Sequence, residues 1–262
     1  MLVRSWNLFH GNTVPPGRRA HLDAMVELAS ADEPGVLCLQ EVPAWALSRF
    51  TAGDVAERPS LGPLPIPPAA GRALTDLNTG LFRSLFAGQG NAIQLGTGLR
   101  VLEHRVLALN SHRFRRAETR KLELDLVARL AWAKERRIVQ AVRVAGAGRP
   151  FVVANLHCTS YRPDQRLAEA ELVRAAWFTL SFARPEDVVV LAGDFNVTAL
   201  ASETLRDLTG PEWGFSAAGP GIDHILVRGA GVSVTRRWDD ERRARDGVLL
   251  SDHAPVELDV EL

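Results

Sequence analysis

Three stretches of this chain are apolar at nearly every position: Val36-Leu37-Cys38-Leu39, Phe151-Val152-Val153-Ala154-Asn155-Leu156 and Val188-Val189-Val190-Leu191-Ala192. A strand with one wet face alternates apolar and polar residues, whereas a strand apolar throughout is covered on both faces. Each stretch then ends abruptly in polar residues: Gln40-Glu41, His157 and Gly193-Asp194-Phe195-Asn196. Trp6-Asn7 and Ser251-Asp252-His253 close two further runs, and Gly221-Ile222-Asp223-His224 opens one. Carboxylates, amides and imidazoles gathered at the ends of packed strands suit metal-assisted phosphate hydrolysis. Hard cations take oxygen ligands, and a His–Asp pair moves charge or protons.

Hydrophobic periodicity predicts strands over 2–9, 36–40, 137–144, 151–156, 188–192, 222–227, 231–235 and 254–262. In the last, Val256, Leu258 and Val260 alternate with Glu257, Asp259 and Glu261, which predicts one solvated face. Helices are expected over 17–30, 43–50, 124–134, 163–183 and 198–208, the longest carrying Leu167, Ala170, Val173, Ala176, Trp177 and Leu180 on one stripe. Segment 57–72, rich in proline and glycine, reads as a loop too short to link independent halves. Strands and helices alternate and the polar islands come from both halves, so a single α/β domain over 1–262 with two packed sheets accounts for the pattern.

The 262 residues, 46% of them hydrophobic, supply ample core for such a domain. Net charge is zero, which excludes a global field drawing the chain to nucleic acid or anionic membrane; any basic surface is local. One such cluster is His112, Arg113, Arg115, Arg116, Arg120 and Lys121; a second, mixed with acids, spans 236–243. The first suits a polyphosphate or a nucleic-acid backbone, although basic runs are commonly solvated loops. Cys38 and Cys158 sit in apolar contexts and read as buried thiols. Trp132 and Trp177 fall in helical patterns and read as core. No apolar run approaches the ~20 residues of a membrane span. The chain starts Met-Leu-Val-Arg and enters a strand directly, so no secretory leader is expected and a cytoplasmic location fits.

Each island has a bland reading. Gly-Asp-Phe-Asn is good turn chemistry, although Asp194 and Asn196, two apart in extended chain, face the same way. Asp252-His253 suits a capped strand start, Asn7 a turn, and His157 a satisfied structural histidine. Glu41 closes a buried strand, where a carboxylate must be paired, solvated or cation-bound. Asp223 suits a surface position or the orienting of a histidine.

The order of these motifs decides between the readings. Trp-Asn, Leu-Gln-Glu, Gly-Asn-Ala-Ile, Asn-Leu-His, Gly-Asp-Phe-Asn, Ile-Asp-His-Ile-Leu and Ser-Asp-His-Ala-Pro-Val run from residue 5 to residue 258. Together they resemble the endonuclease/exonuclease/phosphatase superfamily, the group of deoxyribonuclease I. That resemblance implies a four-layer α/β/β/α sandwich of two packed mixed β-sheets flanked by helices. It implies Mg2+ or Mn2+ held chiefly by Glu41 with Asn7 and Asp252, directly or through water. Asp194 would orient or deprotonate the attacking water. Asn196 would hold that water, a phosphate oxygen or a second metal. His253, paired with Asp223, would stabilise charge on the scissile phosphate, and His157 would donate to another phosphate oxygen. Arg137 would support them, with Arg136 as the alternative.

Departures narrow the substrate. Leu8-Phe9-His10-Gly11-Asn12 replaces the Asn-Gly-Leu-Arg-like stretch of exonuclease III-type repair enzymes. The glycine-rich region 88–93 lacks their tyrosine, and Tyr161 is the chain's only one, which argues against an abasic-site function. The expectation is a metal-dependent phosphodiesterase acting on DNA or RNA. The alternatives are a phosphatase or phosphodiesterase of small phosphorylated metabolites or lipid head groups, and a non-catalytic binding module on the same scaffold. No protein partner is implied.

Overall fold

Strand β1 (Leu2–Asn7) shows how the molecule is layered. Its alternate residues point to opposite faces. Val3 enters an apolar cluster with Val36, Cys38 and Ile93 of its own sheet and with Val142, Val153, Val190 and Ile225 of a second sheet. Trp6, one face over, packs instead with Leu22, Met25 and Ala29 of helix α1 (Leu22–Ser30). The same division holds on the other side. In β8 (Phe151–His157), Phe151 and Val153 face the inter-sheet cluster, while Val152, Ala154 and Leu156 pack against Leu172, Ala175 and Ala176 of a long helix.

The computed structural model describes the chain except for residues 18–19, 51–54, 58–68, 71–72, 74–87, 147 and 217. Most of the proline- and glycine-rich segment 57–72 therefore lies outside the described residues. The first sheet is ordered β12 (Arg236–Arg237), β15 (Val256–Asp259), β1, β3 (Val36–Pro43), β5 (Gln89–Leu95) and β4 (Val55–Glu57). The second is ordered β10 (Phe215–Ser216), β11 (Asp223–Arg228), β9 (Val188–Asp194), β8, β7 (Ile138–Ala145) and β6 (Arg100–Ala108). Both are mixed: β1 runs parallel to β3 and β8 parallel to β9, and their other neighbours are antiparallel. A small third sheet joins β13 (Ala244–Arg245), β14 (Val248–Leu250) and β2 (Thr13–Val14).

Besides α1, the helices whose bounds fall among the described residues are α2 (His112–Lys121), α3 (Leu126–Lys134), α4 (Arg166–Phe182) and α5 (Glu203–Leu208). The basic cluster from His112 to Lys121, for which the sequence predicted no element, forms helix α2. The helix predicted over 198–208 begins only after Ser202, whose hydroxyl caps it by accepting from Leu205 N at 2.9 Å. The segment 43–50 forms a 3-10 turn, Ala44–Arg49. The strand predicted over 231–235 reduces to one bridge, Val232 to Val260. Strands β5 and β6 are additions; β6 lies at a sheet edge and only partly buries its side chains, so its apolar pattern is weak.

Two further expectations are corrected. Glu257 is not on a wet face: it is buried, accepting from Arg4 Nε at 2.8 Å and Trp238 Nε1 at 2.9 Å. Arg4 itself is fully buried and requires a carboxylate there. Trp177 is not core: 62% of it is exposed, edge-on to Trp213 at 4.9 Å, whereas Trp132 is buried. Cys38 and Cys158 are both free and buried.

Candidate active site

The strands that fill the inter-sheet core carry polar residues at one end. Asn7 pairs in register with Gln40, His157 with Asp194, and Asp194 with Asp223 across the other side of β9. Parallel β1 and β3, and parallel β8 and β9, finish at this end, and antiparallel β11 begins there. The backbone at this end is fitted to the site. Between Leu39 and Val42 the β3–β5 register shifts, and Glu41 takes a left-handed φ of 51°. Such a bulge re-aims a side chain at the rim of a sheet. At this bulge Asn155 Nδ2 reaches across from the second sheet to Leu39 O and Ala92 O, both at 2.9 Å. Asn155 Oδ1 accepts from Gln40 Nε2 at 2.8 Å. This buried amide pair joins the two sheets directly beneath the site. Gly193 has φ +145° and a Cβ there would lie 1.9 Å from Leu156 O, so only glycine lets β9 approach β8 before Asp194.

Asp194 is the hub. Asn7 Nδ2 donates to its Oδ2 at 3.0 Å, and His157 Nε2 and His253 Nε2 lie 3.4 and 3.8 Å from the same oxygen. Its Oδ1 accepts from Asn196 N at 3.0 Å. Asn196, at a left-handed φ of 54°, donates from Nδ2 to Cys158 O at 3.0 Å. His253 Nδ1 lies 3.0 and 2.9 Å from the two oxygens of Asp223. Ser251 steadies that loop: its hydroxyl donates to Asn7 O at 2.7 Å and accepts from His253 N at 3.1 Å. On the far side Arg137 Nη1 is 2.8 Å from His157 Nδ1, and Arg137 Nη2 pairs with Glu135 at 2.8 Å.

Electrostatics separates the groups. Burial pushes the Glu41 carboxyl up, but His10, His157 and Arg137 more than offset it and hold Glu41 well below the ordinary carboxylate range. Asp194 goes the other way: burial, reinforced by the Asp223 charge, pushes it up to about 7. Burial disfavours charged His253, yet hydrogen bonding and attraction from Asp223 win and raise it to about 10. His157 lies well below its usual value through burial and then Arg137.

A cavity of about 430 Å3 opens over these groups, lined by Glu41, Asp194 and Asp252 together with Arg137, His157, Asn196 and His253. Every expected site residue is accounted for here. Asn7 lies beneath the cavity through Asp194, and Asp223 behind it through His253; Arg137 rather than Arg136 lines the cavity. Asp252 is the most open of the set. His10 is absent from the expectations. It is buried and its Nε2 lies 3.0 Å from Glu41 Oε2, yet it sits in a 3-10 turn outside any apolar run. Its only sequence signal is its position, three residues after Asn7 and before a glycine. Tyr161, Arg162 and Gln165 also line the cavity from a loop without strand periodicity.

The donor chemistry fits a divalent cation. Glu41, Asp252 and the Asn7 amide offer only oxygen to a metal, which suits Mg2+ or Mn2+. The raised Asp194 marks an excess of buried negative charge that a cation would relieve. Asp194, Asp223 and His253 also offer ligand atoms within 4.8 Å of one another. Both oxygens of Asp223 already face His253 Nδ1, which leaves Glu41, Asp194 and Asp252 as the other carboxylates of the cavity.

Fold and cavity together define a mixed α/β protein whose carboxylate-lined pocket suits phosphoester chemistry. The chain belongs to the Endonuclease/Exonuclease/phosphatase family, whose profile matches residues 5–253. Members of this family hydrolyse phosphoester bonds and generally depend on a divalent metal. Similar solved structures include an endonuclease/exonuclease/phosphatase from Beutenbergia cavernae (16% identity, TM-score 0.65, covering all of this chain and 71% of that one). TDP2 of D. rerio complexed with a single-strand DNA product is similar over all of this chain and 99% of its own, at 13% identity and TM-score 0.64. A functionally unknown conserved protein from Enterococcus faecalis covers the same shares at 16% identity and TM-score 0.64. No curated protein matches significantly in sequence. Among the described residues no helix is long and apolar enough to cross a membrane.

Proposed function

We propose that this protein, read as one domain over 1–262, hydrolyses phosphodiester bonds of DNA or RNA by attack of water. One observation carries the reading: a single cavity gathers acidic Glu41, Asp194 and Asp252 with Arg137, His157, Asn196 and His253. The first group suits a cation and a water, the second a phosphate. Glu41, Asn7 and Asp252 would hold Mg2+ or Mn2+, with Asp194 and Asn196 close enough to share it. When bound, the ion supplies Lewis-acid stabilisation of the charge on the phosphate.

The chain's own groups then divide the work. Asp194 orients the water and accepts its proton as the new O–P bond forms and the bond to the leaving oxygen breaks. Asn196 holds the water or a non-bridging oxygen. His253, kept protonated by Asp223, faces charge that grows on the phosphoryl oxygens. Neutral His157 accepts from Arg137 at Nδ1, and its Nε2–H, 3.4 Å from Asp194 Oδ2, turns to a phosphate oxygen when substrate fills the cavity. Nucleic acid as substrate is supported by the DNA product in the D. rerio TDP2 structure. The test is a metal-supplemented panel of plasmid, oligonucleotides, nucleotides, inositol phosphates and bis-p-nitrophenyl phosphate. Cleavage of nucleic acid with magnesium or manganese, lost on chelation, supports the reading. Robust cleavage of the small ester with no nicking at low salt overturns the nuclease part.

A further inference from the structure

Away from the catalytic cavity, α2 and α3 form a helical hairpin between β6 and β7. Ser111 caps α2 by accepting from Phe114 N at 3.4 Å, and Asp125 caps α3 by accepting from Ala128 N at 2.7 Å. Leu124, Ala128 and Trp132 pack on Leu167 of α4, and Trp132 Nε1 donates to Glu171 at 2.6 Å. The hairpin is therefore fixed in place, and a crevice of about 400 Å3 runs between its helices. His112, Arg115, Arg116, Arg120 and Arg129 line it, and among the described residues no carboxylate does.

Among the described residues this charge has no carboxylate partner, whereas the buried arginines of the chain are paired. Arg4, Arg137, Arg143, Arg166 and Arg243 each pair with a carboxylate. Among the described residues Arg116, Arg120 and Arg129 have no such partner, and Glu118, the single acid of α2, is held by Lys121 at 2.6 Å. The arrangement also works against the helix. Arg116 and Arg120 stand at four-residue spacing, where like charges repel, and the first turn holds no acid to meet the helix dipole. No residue of α2 is fully buried, so packing does not demand these side chains.

The crevice is rigidly tied to the catalytic cavity. Arg115 Nε donates to Asn110 O at 3.0 Å, and Asn110 Oδ1 accepts from Arg137 N at 2.8 Å. Arg137 then contacts His157. The hairpin rises from the same end of the sheets as the catalytic residues, because it leaves β6 and returns to β7 through Arg137, the residue immediately before that strand.

We propose that the crevice between α2 and α3 is a second phosphate-binding site, which holds the sugar–phosphate backbone of a nucleic-acid substrate away from the bond being cut. The proposal rests on the nuclease reading. Arginine forks suit phosphate oxygens, and a concave site with several forks favours a chain of phosphates over a single one. Leu126, Val127 and Leu130 are exposed on the outer crest of α3, which makes an anionic lipid surface the competing occupant.

The experiment compares the full chain with the triple variant Arg116→Gln, Arg120→Gln, Arg129→Gln and with each single change. Glutamine keeps helix propensity, and circular dichroism checks the fold. Labelled single-stranded DNA and RNA are titrated in chelator, so that nothing is cut, over a range of salt. The triple variant should bind roughly 10-fold more weakly or worse, with the salt slope reduced by about two, as three phosphate contacts are lost. Hydrolysis of bis-p-nitrophenyl phosphate with metal should be unchanged. Unaltered affinity and slope in a folded variant overturn the proposal. So does loss of binding to phosphatidylserine vesicles with nucleic-acid binding intact. If the parent binds DNA or RNA through the crevice yet cuts neither, the nuclease reading fails and the crevice stands.

Discussion

In the middle of the inter-sheet space Val36, Cys38, Val153, Val190 and Ile225 meet with none of their surface exposed. One or two pleats further along the same strands the inward positions are Gln40, His157, Asp194 and Asp223. Backbone, sheet pairing and covering layers are shared; only the side chains change. The comparison teaches that the site is the continuation of the core by polar means. The apolar part supplies rigidity, and the polar part spends some of it on buried charges that need one another or a cation.

The first way to break the comparison is to remove what balances the polar end. Chelator, or Glu41→Gln, should reduce hydrolysis to background while the apolar part keeps the chain folded. Circular dichroism and a phosphodiesterase assay on one sample check this, and full turnover after metal stripping refutes the metal assignment. Next in size, Asp194→Asn and His253→Ala should each cut turnover by at least ~100-fold, the lower end for a positioned acid–base or charge-stabilising group. Asp223→Asn should cost less, because it disturbs the imidazole without deleting it. If His253→Ala and Asp223→Asn stay folded and turn over like the parent, the pair is structural.

The opposite perturbation belongs to the apolar end. Ile225→Ala should destabilise by about 2–5 kcal/mol through a cavity between the sheets. Turnover per folded molecule should survive, which denaturant titration alongside active-site-normalised kinetics would show. A collapse of turnover at full folding would mean that the two ends are not separable.

The smallest effect sharpens the cost of the buried charge. In metal-free protein the Asp194 pKa is raised to about 7, so the folded state binds its proton more tightly than the unfolded chain does. The stabilisation linked to that proton is fully present below the unfolded value of 3.8 and is lost as pH rises through about 7. Asp194→Asn should therefore melt higher than the parent above pH 7 without metal, and the gap should close towards acid pH. Magnesium should shrink the gap at high pH. A pH-independent difference in Tm would show that Asp194 is not strained in this way.

Much of this was legible because burial on both faces forces a nearly all-apolar strand, and a polar residue ending such a strand stands out. Glu41, His157 and Asp194 were found that way, and Asp223 and His253 by the motifs beside them. The bulge that turns Glu41 was not legible, since a register shift depends on the partner strand β5, whose own apolar run is short. His10 escaped because a turn residue has no period. Trp177 misled because helical spacing reports a stripe, not whether another layer covers it.

The residues alone determined the layered class, the order of the site motifs and the oxygen-rich chemistry, because periodicity and residue type are local properties of the chain. Only the tertiary structure decided that His10 serves Glu41, that Asn155 bridges the sheets beneath the site, and that unpaired arginines of two helices share one crevice. Each of these is a contact between residues far apart in sequence or set by a turn. Their partners are chosen by how sheets and helices pack, which no local pattern encodes.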